Sequence, residues 1–381
     1  MASQVKCGIV GLPNVGKSTL FNALRSAQGK LSLGGGAKTA NYPFTTIEPN
    51  VGVVEVPDER LQKLAEVVAN ENSKSETRNP KQIENSNDQN TKEDNPTWPP
   101  IVPAVVEFVD IAGLVKGAHK GEGLGNQFLS HIREVDAIVF VVRDFKSEDI
   151  IRTGLDPKED LEVLKSELLL KDLETVEKVL STRNSKQETI NREVLEKAKN
   201  LIEQGKWLRG EMTDEELEKI SELQFLSSKK TLVVVNSDES DLGYEVPISG
   251  AVRICAKMEE ELASLSEGEQ KEYLAQVEVS EPGVNKLICK AYEVLGLMSF
   301  YTAGPKEVRA WTVKRGSLAP AVAGVIHTDF ERGFIAADIV AFDEFVEAGG
   351  WKGAREKGFV KTIGKSEVMP ENSVVEFKFS V

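Results

Sequence analysis

The sequence has few cysteines, no long apolar run and no excess of basic residues. Its 381 residues include only three widely separated cysteines, Cys7, Cys255 and Cys289. That number and spacing match neither a disulfide framework nor a paired-cysteine zinc site, so a reducing, cytoplasmic environment is expected. Runs of eighteen apolar residues are absent, and the first residues lack the charged segment and apolar core of an export signal. We therefore expect neither a membrane-spanning helix nor export.

The charge balance is acidic. The formal net charge is -14, from 47 Lys and Arg against 61 Asp and Glu. An anionic partner must therefore meet a local basic patch rather than the average field of the chain, which argues against nonspecific coating of nucleic acid as the function. Hydrophobic residues make up 40% and charged residues 28% of the chain, as in a folded protein of two or three domains.

Short apolar segments alternate with segments of helical or loop character along the first two thirds of the chain. Such alternation predicts an α/β layered sheet. The first helix is predicted over 17–26, where Leu20, Phe21 and Leu24 have helical spacing. Strands are predicted at 6–10, 51–56, 104–109, 137–142 and 232–235.

Three regions depart from this alternation. Residues 70–100 are dominated by polar residues and proline, which predicts a disordered insertion. Residues 160–226 are rich in charge, with leucine and valine at helical spacing, which predicts a helical hairpin or short antiparallel coiled coil. Two amphipathic helices packed on the main domain are the alternative. Short alternating segments after 297, broken by glycine and proline, predict a small β-rich domain.

A phosphate-binding loop is the strongest motif. Residues 11–18 read Gly-Leu-Pro-Asn-Val-Gly-Lys-Ser, which fits G-x-x-x-x-G-K-[ST] between a predicted strand and a predicted helix. Backbone NH groups and the positive end of the helix would cradle phosphate oxygens, and Lys17 would neutralise the β and γ phosphates. The expected nucleotide-binding residues here are Asn14, Val15, Gly16, Lys17, Ser18 and Thr19.

A magnesium site is expected beside this loop. Asp110 ends a predicted strand and would hold Mg²⁺ through a water, while Ser18 would supply a hydroxyl ligand. Three residues later, the NH of Gly113 would meet the γ phosphate. Thr46 is preferred to Thr45 as a second hydroxyl ligand, although adjacent threonines are also common in loops that lead into strands.

The position after Gly113 holds Leu114, where many GTP hydrolases carry a glutamine that orients the attacking water. A leucine side chain cannot do this. Another residue, a cation or a partner must then position the water, or intrinsic turnover is very slow. Lys17 and Gly113 are therefore the expected catalytic residues.

Base choice is assigned to residues 236–239. GTP-specific proteins use N-K-x-D there, and the aspartate accepts two hydrogen bonds from guanine. In this chain Glu239 occupies the aspartate position, and its longer carboxylate would be misaligned with guanine, whereas the amide of Asn236 could pair with adenine. ATP is therefore the expected substrate. Asp238 could still reach guanine if the loop shifts, and Ser249, taken as the end of the last sheet strand, could offer a backbone NH to the base.

With these segments in order, the chain resembles the YchF branch of the Obg-like P-loop ATPases, in the TRAFAC class. The resemblance runs nearly end to end. Segments at 306–312 and 326–331 are similar to the family's TGS domain, a small β-grasp module. The remaining segments that carry it are 11–19, 42–50, 110–117, 121–126 and 236–239.

The resemblance implies a P-loop nucleotide-binding domain, interrupted by a helical coiled-coil domain and followed by the TGS domain. We place the nucleotide-binding domain at 1–146 and 227–298, the helical insertion at 147–226 and the TGS domain at 299–381. The resemblance also implies magnesium-dependent hydrolysis of ATP in preference to GTP, and association with the ribosome or ribosomal RNA. A cytoplasmic monomer is expected.

Two other functions remain open. The protein could be a nucleotide-gated binding module in which hydrolysis is incidental, or a GTP-specific switch, which Glu239 disfavours. A metabolic kinase is least favoured because the motifs reveal no pocket for a second substrate.

Overall fold

The computed structural model describes residues 5–26, 50–76, 98–111, 124–146, 156–181 and 192–380. These residues form two six-stranded sheets with helices around them. Within these ranges, no helix is both long enough and apolar enough to cross a membrane.

The strands in chain order are β1 (Lys6–Gly11), β2 (Val51–Glu55), β3 (Ile101–Val102), β4 (Val105–Asp110), β5 (Ala137–Asp144), β6 (Lys230–Ser237), β7 (Val252–Ile254), β8 (Leu297–Ala303), β9 (Val308–Lys314), β10 (Phe334–Ala341), β11 (Lys361–Ile363) and β12 (Ser373–Phe379).

The helices are α1 (Lys17–Ser26), α2 (Arg60–Glu76), α3 (Leu124–Glu134), α4 (Pro157–Ser181), α5 (Arg192–Glu203), α6 (Leu208–Glu211), α7 (Asp214–Lys219), α8 (Ala256–Leu262), α9 (Glu267–Gln276), α10 (Gly283–Val294), α11 (Ala319–Ile326), α12 (Thr328–Arg332), α13 (Phe342–Ala348) and α14 (Trp351–Lys357).

The first sheet has the strand order β2-β4-β1-β5-β6-β7. All neighbours are parallel except β2, which runs antiparallel to β4 at one edge. The inner strands are apolar along most of their length because helices cover both faces of the sheet. This confirms the predicted α/β sheet and the five strands assigned to it. Since parallel strands end at a common edge, Gly11, Asp110 and Ser237 all lie at the carboxyl edge of this sheet.

The second sheet has the order β11-β10-β12-β8-β9-β3. Met298, Phe300 and Val322 belong to a core between this sheet and α11. The β-rich C-terminal region predicted from the sequence is confirmed. Its first strand begins at Leu297, so we propose that residue, rather than 299, as the start of the domain.

The end of α2 corrects the prediction of a disordered insertion over 70–100. Residues 70–76 continue the helix, and the helix is packed as far as Val68 and Ala69, whose side chains are buried. One turn later, the backbone NH of Lys352 in α14 donates to Glu71 at 3.3 Å. At the other end, the carbonyl of Pro100 accepts a hydrogen bond from Val308. Tertiary contacts, which composition does not reveal, order both ends of the insertion, and 77–97 lie outside the described residues.

The helical region combines the two alternatives considered from the sequence. In its first half, α4 packs on the sheet through Leu161, Leu164 and Leu168. In its second half it pairs with α5, where Val176 and Ala198 share a separate core. The helix α4 therefore attaches the helical unit to the nucleotide-binding sheet and also forms one arm of the hairpin.

Apolar and polar contacts join the two sheets. One hydrophobic core contains residues of both, for example Phe108 of β4 and Val374 of β12. Beside it, Asp58 accepts hydrogen bonds from Arg60 Nε at 2.7 Å and from the Tyr301 hydroxyl at 2.5 Å. The same arginine also donates to Asn372. The corner between β2 and α2 is thereby fixed to the C-terminal domain.

Candidate functional site

The loop between β1 and α1 has the backbone that a phosphate-binding loop requires. Asn14 has φ of +62° and Gly16 of +84°, so two residues lie in the left-handed region. Between them, the Val15 side chain is buried, with 2% exposed. A Cβ added to Gly16 would lie 2.2 Å from Nδ2 of Asn236. Glycine is therefore required at residue 16 for both its φ angle and its lack of a side chain.

Lys17 and Asp110 lie together although 93 residues separate them in sequence. The ammonium nitrogen of Lys17 is 2.5 Å from Oδ1 of Asp110, and both side chains are partly buried. Lys17 begins α1, which follows β1, and Asp110 ends β4. The parallel pairing of β1 with β4 places the two residues side by side. A phosphate oxygen bound by Lys17 would share its ammonium group with Asp110.

The oxygen donors at this edge fit a magnesium ion. Ser18 lies exposed in the first turn of α1, and Asp110 contributes a carboxylate at the end of the neighbouring strand. Hydroxyl and carboxylate oxygens are the donors Mg²⁺ prefers when it also binds phosphate. Thr19 follows in α1 and is half-buried. The expected residues Thr46 and Gly113, and Leu114 beside the latter, lie outside the described residues.

Asn236 braces the phosphate-binding loop through its side-chain amide. Its side chain is 4% exposed, and its Nδ2 donates to the carbonyl of Val15 at 2.9 Å. Its Oδ1 accepts a hydrogen bond from the backbone NH of Ala256, also at 2.9 Å. The amide thus ties the loop after β1 to the segment after β7. These bonds use one of the two Nδ2 hydrogens and one lone pair of Oδ1, and the pairing of this amide with adenine stays a prediction.

The segment that meets Asn236 also corrects the placement of Ser249. Ser249 lies in a turn before β7, not at the end of the last strand of the first sheet. That strand ends at Ile254 and leads through Cys255 to Ala256, which opens α8. Sequence reasoning missed these two residues. The apolar alternation of Val252 and Ile254 immediately before a helical segment is the signal that could have located them.

Glu239 lies in the loop after β6, held by a residue that the sequence did not single out. Its Oε2 accepts a hydrogen bond from the hydroxyl of Tyr273 in α9 at 3.2 Å. Burial is the main cause that raises the pKa of the Cys255 thiol, and the charge of Glu239 contributes. Glu239 follows β6 and Cys255 follows β7, so both lie at the carboxyl edge of the sheet.

Asp238, the alternative acceptor for guanine, forms a hydrogen bond with a neighbouring loop. Its Oδ2 accepts the backbone NH of Lys146, just after β5, at 3.0 Å. A second strut lies close by, where Arg253 pairs with Asp144 at 2.9 Å. Asp238 and Asp144 thus fix the loops around the site. In contrast to Asp238, the carboxylate of Glu239 accepts its hydrogen bond from a side chain, that of Tyr273, among the described contacts.

Comparisons with known families match both parts of the chain. Residues 6–176 match a family described as 50S ribosome-binding GTPase. Residues 297–380 match the C-terminal family of YchF GTPases, described as a protein of unknown function.

Full-length relatives are also similar. The chain is 44% identical to the ribosome-binding ATPase YchF of Bacillus subtilis, over 98% of this chain and 99% of the relative. Its identity to the protein of the same name from Haemophilus influenzae is 41%, over 99% of each chain. The solved structure of the Schizosaccharomyces pombe YchF GTPase is 33% identical, covers 99% of this chain and 98% of its own, and superimposes with a TM-score of 0.77.

Proposed function

Because the chain belongs to the YchF family, we propose that it is a magnesium-dependent ATPase whose nucleotide state controls its association with the ribosome. The observation that carries the catalytic half of this proposal is the meeting of Lys17 and Asp110 beside the left-handed loop at Gly16. Relatives named ribosome-binding ATPases support the other half. A ribosomal partner would place the protein in the cytoplasm, where we propose that it acts as a monomer.

The proposed roles follow from position. The NH groups of residues 14–19 bind the phosphates, and Lys17 neutralises the charge of the terminal phosphates. Ser18 and Asp110 would hold Mg²⁺, which when bound supplies charge stabilisation to the phosphate oxygens. We keep Thr46 and Gly113 as proposed switch residues on sequence grounds. Leu114 cannot orient the attacking water, so slow turnover without the ribosome is part of the proposal.

Base choice is assigned to Glu239, with Asn236 as the brace that positions the loop around it. The names of relatives differ on the nucleotide: the curated relatives are called ATPases, whereas the fission-yeast structure is called a GTPase. A carboxylate one methylene longer than aspartate meets guanine less well, which favours ATP. We assign no base contact to Ser249, since it precedes the strand that would have to present it.

Phosphate release tests the enzymatic claim. Wild type should hydrolyse ATP slowly, and Lys17→Ala should lose that activity and most of its affinity for triphosphate. Lys63→Ala, an exposed lysine of α2, is the matched control for loss of a positive charge. Equal rates in wild type and Lys17→Ala would remove the claim of catalysis.

A competition titration of ATP against GTP tests base choice. Wild type should prefer ATP, and Glu239→Asp should shift the preference toward GTP. A wild type that binds GTP more tightly would instead establish the GTP-specific switch.

A nucleotide-gated binding module is the second candidate, favoured by the leucine at position 114. Ribosome capture can be compared with ATP, ADP and a nonhydrolysable ATP analogue. If capture follows the triphosphate and is unchanged when turnover is blocked, complex formation is the output and hydrolysis is incidental. If capture is the same in all nucleotide states, control by nucleotide is refuted.

A further inference from the structure

The loop that carries Glu239 is supported by a small hydrophobic core of its own. Leu242, three residues after Glu239, packs against a cluster that includes Cys255, Met258 and Leu274. These residues come from the start of α8 and from α9, and the cluster is separate from the cores of the two sheets. The helices α8 and α9 therefore support the loop that carries Glu239, which we call the base-recognition loop.

One polar contact joins α9 to Glu239. The hydroxyl of Tyr273, on α9, donates to Oε2 of Glu239 at 3.2 Å, while the tyrosine ring packs against the same cluster. Burial and the nearby carboxylate of Glu239 raise the pKa of the Tyr273 phenol, so the hydroxyl stays protonated and remains a donor at neutral pH. The hydrogen bond fixes the orientation of the carboxylate by its Oε2 atom, and Oε1 has no hydrogen-bond partner among the described contacts.

The number of carboxylate oxygens that face a base decides which purine it recognises. Guanine presents two adjacent donors, N1–H and the 2-amino group, and pairs best with a carboxylate that offers both oxygens. Adenine presents a single amino group on its Watson–Crick edge, at N6, and needs one acceptor. Hypoxanthine, the base of ITP, lies between them because it has the N1–H of guanine but lacks the 2-amino group.

We propose that Tyr273 is a positioning residue for base selection, which holds Glu239 as a single acceptor and so favours adenine over guanine. This inference rests on the proposed role of Glu239 in base choice. Tyr273 itself contacts no nucleotide in the proposal and acts through the orientation of the Glu239 carboxylate. It adds to the effect of side-chain length, since a longer carboxylate that is also tethered cannot turn both oxygens toward guanine.

The test is the variant Tyr273→Phe, which removes the hydroxyl and keeps the ring in its packing. Affinities for ATP, ITP and GTP are measured by displacement of a fluorescent ADP analogue. Freeing Oε2 should tighten GTP relative to ATP by roughly tenfold, the factor that corresponds to about 1.4 kcal/mol. ITP should gain less than GTP, because it has one donor fewer to offer. A purely structural defect would weaken all three nucleotides together.

Tyr244→Phe is the matched control, because Tyr244 is close to Glu239 in the sequence but its side chain is 70% exposed. It should leave all three affinities unchanged. A GTP-to-ATP ratio in Tyr273→Phe equal to that of wild type overturns the inference.

A double-mutant cycle separates this inference from the proposed function. In a Glu239→Gln background, Tyr273→Phe should no longer change the GTP-to-ATP ratio, since the carboxylate through which it acts is gone. If Glu239→Gln itself leaves the wild-type preference intact, the assignment of base choice to Glu239 fails. If Glu239→Gln changes the preference and Tyr273→Phe does not, only the role of Tyr273 fails. If Tyr273→Phe disturbs the fold, its urea midpoint will be lower than that of wild type. The coupling is then tested by the GTP-to-ATP ratio of the double variant, because a ratio equal to that of Glu239→Gln supports the coupling and a different ratio contradicts it.

Discussion

Replacing Asn236 with alanine should loosen the phosphate-binding loop by an amount that the structure allows us to work out. The variant removes two buried hydrogen bonds of 2.9 Å, one to Val15 and one from Ala256. Each bond contributes about 0.5–1.5 kcal/mol net, and a buried backbone group left without a partner costs about 1–3 kcal/mol. A loss of about 3 kcal/mol in the free energy of unfolding is therefore expected for Asn236→Ala.

Urea unfolding followed by circular dichroism measures this loss. With an m value of roughly 3 kcal/mol/M, the midpoint should fall by about 1 M. Ser237→Ala is an internal control from the next residue of the same strand: Ser237 is 2% exposed, and its hydroxyl has no hydrogen-bond partner among the described residues. Removing an unpaired buried hydroxyl should leave stability unchanged or raise it.

The comparison of these two variants can refute the bracing role. If Asn236→Ala unfolds at the wild-type midpoint, or if Ser237→Ala is equally destabilised, the two hydrogen bonds do not brace the loop. Nucleotide affinity provides a second readout, because Asn236→Ala should weaken ADP, ATP and GTP alike, unlike a change at the base-recognition loop.

Three further predictions follow from described contacts. Gly16→Ala should abolish nucleotide binding measured by fluorescence titration, because residue 16 has a φ of +84° and a Cβ there would clash with the side chain of Asn236. Gly205→Ala, where φ is +73° and a Cβ would have no heavy atom within 4 Å, should retain binding. Burial raises the pKa of Glu259 to about 7, so the folded state holds a proton that the unfolded state releases from about pH 4.5 upward, and stability should fall as the pH rises from there to about 7. Glu259→Gln should flatten that slope in urea titrations at pH 5 and pH 8, and an unchanged slope would contradict the assignment. Tyr301→Phe should destabilise by about 1–2 kcal/mol in the same assay, since it leaves a carboxylate oxygen of Asp58 without the hydroxyl that donates to it; an unchanged midpoint would show that this contact contributes nothing measurable.

Local patterns in the sequence were sufficient for the elements that form the nucleotide-binding sheet. The predicted helix at 17–26 is α1 itself, because the phosphate-loop motif fixes its start and apolar spacing defines its buried face. Strands β5 and β6 were found with ends within two residues, since both are buried on two faces and read as continuous apolar runs. The C-terminal strands β9 and β12 lie in the region after 297 where alternating segments predicted a β-rich domain.

What the sequence could not show depends on contacts between distant segments. The bond from Asn236 to Val15 spans 221 residues, and no local pattern reveals that it occupies the amide. The short strand β7 has three residues and gives little periodicity, so Ser249 was mistaken for the end of a strand. The helical end of α2 and the role of Tyr273 likewise depend on partners from elsewhere in the chain.

The small strand β3 links the mechanics of the two sheets. It pairs with β9 in the C-terminal sheet, yet the next strand in the chain, β4, belongs to the nucleotide-binding sheet and ends at Asp110. Only Pro103 and Ala104 separate the two strands, and the proline ring removes one of the few torsions that could absorb a displacement. A displacement of β4 along its own axis would therefore be transmitted through this two-residue connection to β3 and its partner β9.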